Sequence, residues 1–197
     1  MLTEQEQFWQ GDFGRDYTAR NRLNWKLRLP FWEAVIDKTK AKSVLEVGCN
    51  IGTNLRCLRD IDPSLAAWGC DINQIALQEA ADAGFSVVDA SVFDLRGLVG
   101  IKGFDLVATC GVLIHIGPAD IERAMRSIIG ASRLYVLAVE YADDTEVEVN
   151  YRGHSERLWR RPFGKMYEKM GLKLVKTVKV DKEHGFDDCT AWLMSKE

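Results

Sequence analysis

The sequence predicts an α/β domain built on a mainly parallel, twisted sheet, with helices on both faces and an antiparallel hairpin near its C-terminal end. Three observations carry this. Short apolar runs at 43–47, 65–72, 85–90, 104–113 and 133–141 alternate with segments of helical periodicity. A glycine-bearing turn, EVGCNIGT, follows the first run. After Tyr141 the alternation stops, and two β-rich runs, LKLVKTVKV and CTAWLMS, close the chain.

Each element has a local reason. In NWKLRLPFWEAVIDKT, apolar residues fall at helical spacing and Pro30 interrupts them, so helices are expected on both sides of the proline. SVLEV is a short buried strand, and Thr53 to Asp60 reads as a helix ended by DPS. LAAWGCDI is the second strand. Asn73 caps a helix through Ala83, with Gly84 at its end. FSVVDA and FDLVATCGVL are the third and fourth strands. Pro118 and Asp120 start a helix through Ile129, and RLYVLAVEY is the fifth strand. Strands alternating with helices at this spacing require right-handed crossovers, which place helices on both faces. The stretch DDTEVEVNYRGHSERLWRRPFGK is polar, charged and aromatic and reads as a functional loop, followed by a helix from Phe163 to Met170. The 197 residues suit a single domain divided into an N-terminal helical or lid segment (1–40), a core (41–141) and a substrate loop, helix and closing hairpin (142–197).

Composition narrows the function. A hydrophobic fraction of 47% with 28% charged residues is that of a globular protein, and a formal charge of -3 supplies no global field for nucleic acid or anionic membrane. No apolar run approaches a membrane span, and the polar, aromatic N-terminus does not resemble a signal peptide. The five cysteines are odd in number and form no C-x-x-C pair, which fits reduced thiols in a cytoplasmic protein. Three scattered histidines without paired spacing argue against a metal site.

The glycine turn carries the chemistry. Gly48 permits a backbone turn closed to larger residues, and Gly52 lets the next helix start close to a ligand. The spacing G-x-x-x-G differs from the dinucleotide pattern G-x-G-x-x-G, and the lysine of a phosphate loop is missing, so a ligand without a pyrophosphate is favoured. Glu46 ends an apolar strand and needs donors there, from backbone amides or from a ligand. Asp71 ends the second strand, where a carboxylate can accept from ribose hydroxyls. Asp89, followed by Ala90 and Ser91, ends the third, where an adenine amine finds an acceptor. Each aspartate alone also fits a helix cap. Together the three acids suit a nucleoside bearing a positive charge.

With these residues, VLEVGCNIGTN, CDI one strand later, VVDAS and FDLVATCGVLIHI, the segment from Ser43 to about Tyr141 resembles the class I S-adenosylmethionine-dependent methyltransferases, which have a Rossmann-like fold. FWQGDFGRDYTARN and YRGHSERLWRRPFGK resemble the methylases associated with biosynthesis of pseudaminic acid, a nonulosonic sugar. The resemblance implies S-adenosylmethionine as cofactor, with S-adenosylhomocysteine as product. It places Gly48, Cys49 and Gly52 at the methionine end, Asp71 on the ribose, Ile72 on adenine, Asp89 and Ala90 beside the adenine amine, and Cys110 under the methionine portion. Asn50 replaces a glycine of the family pattern; it tolerates a left-handed backbone and can bond the cofactor.

Two histidines are candidate bases for a hydroxyl acceptor. His115 follows the fourth strand and is otherwise a capping or packing residue. His154 lies among Arg152, Arg157, Arg160 and Arg161, whose guanidinium groups can fork onto a carboxylate or phosphate. Glu140, Tyr141 and Tyr151 are expected near the same pocket, with Tyr151 a further catalytic candidate. Phe8, Trp9, Phe13 and Tyr17 form either an aromatic staple or a cover that excludes water and faces the sulfonium, with Arg20 and Asn21 reaching the cofactor carboxylate or the acceptor. The reading is a methyltransferase acting on a small, anionic acceptor such as a pseudaminic-type sugar or its precursor. Another small acid or amine, and a catalytically silent cofactor-binding module, stay open. Nucleic acid is not an expected partner, since no N-P-P-Y or D-P-P-Y motif occurs. Monomer and homodimer are both compatible with the sequence.

Overall fold

The computed structural model describes residues 2–98 and 103–196. A seven-stranded sheet has the order β3-β2-β1-β4-β5-β9-β8. Its strands are β1 (Ser43–Val47), β2 (Ala66–Asp71), β3 (Ser86–Asp89), β4 (Phe104–Cys110), β5 (Ser132–Glu140), β8 (Lys173–Val180) and β9 (Cys189–Ser195). The first five are parallel, while β9 runs antiparallel to both β5 and β8. The strand order reverses between β1 and β4, and at such a switch point ligands bind beyond the strand ends.

Alternation along the strands sorts the core into two layers. Leu45, Val107 and Val136 pack with Met125 and Ile128 of α6 (Ile121–Ala131) and with Phe163 and Tyr167 of α7 (Phe163–Lys169). Val44, Leu106 and Leu137 pack with Trp32 of α3 (Leu29–Thr39) and with Leu55 and Leu58 of α4 (Thr53–Ile61). Each fully buried aliphatic side chain contributes roughly 2 kcal/mol. Helix α5 (Gln74–Asp82) crosses between β2 and β3, and Asn73 caps it by accepting from the amides of Ile75 and Ala76.

The structure departs from the sequence reading around Pro30 and after β5, and it gives the N-terminal helical or lid segment its bounds. Residues 25–28 form a 3-10 turn that runs directly into α3, so Pro30 opens one helix and does not divide two. In that first turn its missing N–H costs nothing. The N-terminal segment folds into α1 (Glu4–Gln10) and α2 (Asp12–Arg20). Helix α1 is started by a reciprocal capping box between Thr3 and Glu6. The expected loop after β5 contains a small hairpin, β6 (Val147–Glu148) paired with β7 (Trp159–Arg160).

Candidate active site

A cavity of about 620 Å³ opens at the C-terminal ends of β1, β2 and β4. The glycine turn forms its floor. The amides of Gly48 and Cys49 both donate to the Cys70 carbonyl, at 2.7 and 3.0 Å. Gly48 has φ of 72°, and a Cβ there would lie 2.4 Å from Val112 Cγ2. Gly52 has φ of 78°, where a Cβ would meet the Phe85 ring at 2.8 Å. Gly52 therefore serves the start of α4 and does not line the cavity, contrary to the cofactor contact expected of it.

Two buried oxygens in the cavity wall have no hydrogen-bond partner among the described residues: Glu46 Oε2 and Asn50 Oδ1. Glu46 is only 2% exposed. Its other oxygen accepts from Asn54 Nδ2 at 2.5 Å. Burial pushes the Glu46 carboxyl up to about 8, with Asp71 adding to the rise and Asn54 and Arg28 opposing it. Asn50 has the left-handed φ of 48° that the sequence allowed, and its amide donates to Asp71 Oδ2 at 2.8 Å. The other Asp71 oxygen accepts from the Asn73 amide at 2.9 Å. Burial raises the Asp71 carboxyl as well, against the pull of these amides.

The N-terminal helices lie over the cavity and are fastened to the residues that line it. Asn50 Nδ2 donates to Thr18 Oγ1, Asn73 Nδ2 to the Trp9 carbonyl, and Ser91 Oγ to Glu6 Oε1. Trp9 and Tyr17 line the cavity, their rings 5.2 Å apart and nearly perpendicular. Tyr17 accepts from Asn21 Nδ2 at 2.8 Å, and burial pushes its phenol up to about 12. Glycine is required at position 14, where a Cβ would stand 1.8 Å from the Trp9 carbonyl oxygen.

Across the cavity, His115 is 8% exposed and packs 4.6 Å from the Trp9 ring and 5.0 Å from that of Tyr151. Its Nδ1 lies 2.6 Å from the Arg157 carbonyl oxygen, which can only accept, so the proton sits on Nδ1. Burial pushes the imidazole down to about 4, leaving it neutral near pH 7 with its lone pair on Nε2. Glu140 lies beneath this turn, outside the cavity, and accepts from the amides of Val112 and Ile114.

Most of the expected residues converge here. Glu46, Gly48, Cys49, Asn50, Asp71 and Ile72 line the cavity, as do Ala90, Ser91, Cys110, Trp9 and Tyr17; Asn21, His115, Tyr141, Tyr151 and Arg152 complete the set. Others do not reach it. Asp89 instead accepts from Gln74 Nε2, at an exposed site. Arg20 lies over the rings of Phe13 and Tyr17. His154 meets the rings of Phe8 and Phe13 edge to face, with centres 5.1 and 5.5 Å apart. Arg157 covers Phe8 and pairs with Glu4 at 3.6 Å. Arg160 is exposed on β7, whereas Arg161 is fully buried and bonds Glu146 and the Leu113 carbonyl. The cluster of arginines in sequence thus splits, and Arg152 alone of the four lines the cavity.

The sequence reading missed Arg28, Asn54 and the turn between β8 and β9, from which Lys182, Phe186 and Asp187 line the cavity. Tyr141 donates to Asp187 Oδ2 at 2.9 Å. Asn54 offered a signal, as a polar residue one helical turn before the apolar Cys57 and Leu58. Arg28 offered none, because arginine is rarely buried.

Residues 45–132 match a family model described as a methyltransferase domain. No curated protein sequence matches the chain. Among solved structures, the chain is similar to magnesium protoporphyrin IX methyltransferase from Synechocystis PCC 6803 with bound S-adenosylhomocysteine, at 12% identity and a TM-score of 0.71 over 98% of each chain. It is similar to 1,6-didemethyltoxoflavin-N1-methyltransferase from Burkholderia thailandensis, at 16% identity and a TM-score of 0.71 over 100% of this chain and 92% of that one. A sugar N-methyltransferase from Streptoalloteichus matches at 14% identity and a TM-score of 0.68, over 95% of this chain and 94% of the other. Identities this low carry the fold alone. The fold is that of the S-adenosylmethionine-dependent methyltransferases, and residues 45–132 are similar to the methyltransferase-domain model.

Proposed function

We propose that the chain is an S-adenosylmethionine-dependent methyltransferase whose acceptor is a small, anionic molecule, such as a nonulosonic, pseudaminic-type sugar or its precursor. The observation that carries the cofactor is the pair of buried, unpartnered acceptors, Glu46 Oε2 and Asn50 Oδ1, facing one cavity beside the glycine turn. Such atoms are costly to leave unpaired, and the ammonium of a methionyl group offers donors to both, its positive charge drawing the Glu46 carboxyl into its ionised, accepting form. On this reading Asp71 at the end of β2 takes the ribose, and Ile72, Ala90 and Ser91 take the adenine. When bound, the cofactor supplies an electrophilic methyl group on a sulfonium.

The residues of the chain align and desolvate the acceptor. Trp9, Tyr17 and Tyr151 present ring surface to the cavity, which suits a cation and excludes water. His115, neutral with its lone pair on Nε2, would take the proton of an acceptor hydroxyl, while the methyl's C–S bond would break with its electron pair left on the sulfur of the departing S-adenosylhomocysteine. Arg152 and Lys182 line the cavity and support an acceptor with a carboxylate. The likeness of the terminal segments to the pseudaminic acid-associated methylases favours the nonulosonic acid within that class.

Single-turnover transfer of labelled methyl from S-adenosylmethionine to a panel of acidic sugars tests the reading. Transfer to a nonulosonic acid or its precursor supports it, and transfer only to amines or neutral metabolites overturns the acceptor class. His115→Gln is expected to slow transfer by roughly 100-fold while leaving S-adenosylhomocysteine affinity unchanged. An unchanged rate would remove His115 as the base.

A further inference from the structure

A buried chain of hydrogen bonds joins two parts of the cavity that are distant in sequence. Arg28 Nε donates to the Gly185 carbonyl at 2.8 Å, in the turn between β8 and β9. Its Nη1 donates to Asn54 Oδ1 at 2.9 Å, and that same oxygen accepts from Trp32 Nε1 at 3.0 Å. Two donors on Oδ1 fix the amide, so Nδ2 must point at Glu46 Oε1. The Arg28 guanidinium also lies over the Phe186 ring, 4.2 Å from its centre. Arg28, Asn54 and Glu46 are each at most 9% exposed.

Resting on the function proposed above, we infer that Arg28 and Asn54 are positioning residues. They set the direction in which Glu46 presents its free oxygen, and they tie that direction to the placement of the β8–β9 turn. The turn contributes Lys182, Phe186 and Asp187 to the cavity, and Glu46 stands at the glycine turn. A carboxyl group in so buried a place has few ways to hold one rotamer, and a fixed amide donor is the means used here. Seating of an acceptor against the turn and seating of the cofactor amine on Glu46 therefore reinforce each other through the same side chains.

The test compares S-adenosylhomocysteine, which carries the amino acid end, with adenosine, which lacks it. Both are titrated calorimetrically into the wild type, Asn54→Ala, Arg28→Lys and the double variant, with thermal melting as the check on folding. Asn54→Ala is expected to weaken S-adenosylhomocysteine about tenfold and adenosine less than about twofold. Arg28→Lys keeps the charge but cannot fork between Asn54 and Gly185, and it is expected to cost about threefold to tenfold on the same ligand alone. In the Asn54→Ala background Arg28→Lys should add almost nothing, because the two act in series. Full additivity would mean that Arg28 touches the ligand directly and would overturn the relay, as would equal losses for both ligands. If Asn54→Ala fails to fold, Arg28→Lys still decides, through the ratio of the two affinities. Absence of S-adenosylhomocysteine binding to the wild type at millimolar concentration would overturn the functional reading itself, and the relay with it. Normal wild-type binding with unaltered ratios in both single variants would overturn the relay alone.

Discussion

Asn50 Nδ2 donates to Thr18 Oγ1 at 3.0 Å, so the residue at the tip of the glycine turn also holds the second N-terminal helix. The same asparagine lends its backbone amide to Asp71. The cover and the floor of the cavity thus share one side chain. Thr18→Val keeps the shape and removes the hydroxyl, leaving a buried amide donor unpaired. The expected cost is about 1–2 kcal/mol of stability, concentrated in α1 and α2. Hydrogen exchange should show faster opening of residues 4–20 with the sheet unchanged. Uniform loss of protection across β1 and β4 would count against a local role.

Asp71→Ala removes the anchor of the Asn50 and Asn73 amides and, on the proposed function, an acceptor for ribose hydroxyls. The expected loss of S-adenosylhomocysteine affinity is roughly 1–3 kcal/mol, accompanied by a lower melting temperature. Calorimetry showing wild-type affinity would remove Asp71 from the cofactor site. A lowered melting temperature with normal affinity would leave it as a turn anchor only.

The five parallel strands were legible because each is a short apolar run bounded by turn residues, and Asn73 was legible because an N-cap is a local device. Helices α1 and α2 were legible only as a helical or lid segment, not in their bounds. They are short, and helices of that length are marginal on their own. What holds them are bonds to Asn50, Asn73 and Ser91, far along the chain. The arginine cluster misled for a related reason. Strand alternation turns Trp159 inward and Arg160 outward, while Arg161 spends its guanidinium on Glu146 and the Leu113 carbonyl. Nearness in sequence therefore overstated nearness in space. Arg28 escaped notice because a lone cation beside a helix start reads as solvated until Asn54 and the Gly185 carbonyl are seen around it.

Stability should depend on pH with a definite sign. Burial raises the Glu46 carboxyl to about 8 and that of Glu140 to about 7, from an ordinary value of 4.5. The folded chain therefore holds these protons more tightly than the unfolded chain. Their contribution is complete below pH 4.5 and is lost as pH rises through 7 and 8. His115 acts in the opposite sense, because burial lowers it from 6.5 to about 4: its contribution is complete above pH 6.5 and is lost as pH falls toward 4. Between pH 6.5 and 8 the carboxyls remain, so the melting temperature of the ligand-free protein should fall as pH rises. Glu46→Gln should flatten that slope. A slope equally steep in the variant would place the titration elsewhere.

The cavity lining separates arginines that the sequence treats alike. Arg152 faces the cavity from a turn in which it holds φ of 52°, whereas Arg160 is exposed on β7. With an acidic-sugar acceptor, Arg152→Gln should raise the acceptor KM about tenfold, as expected for loss of a charge-assisted bond, and leave S-adenosylhomocysteine affinity alone. Arg160→Gln should leave both within about twofold, in line with a surface substitution. Arg157→Gln forms a third class. Its side chain covers Phe8 and pairs with Glu4, while the bond to His115 comes from its backbone carbonyl. The variant should therefore loosen α1, visible as faster proteolysis near the N-terminus, and keep the imidazole in place. Steady-state kinetics on the three variants, with proteolysis as the second readout, would refute the assignment if Arg160→Gln proved the most damaging to acceptor KM.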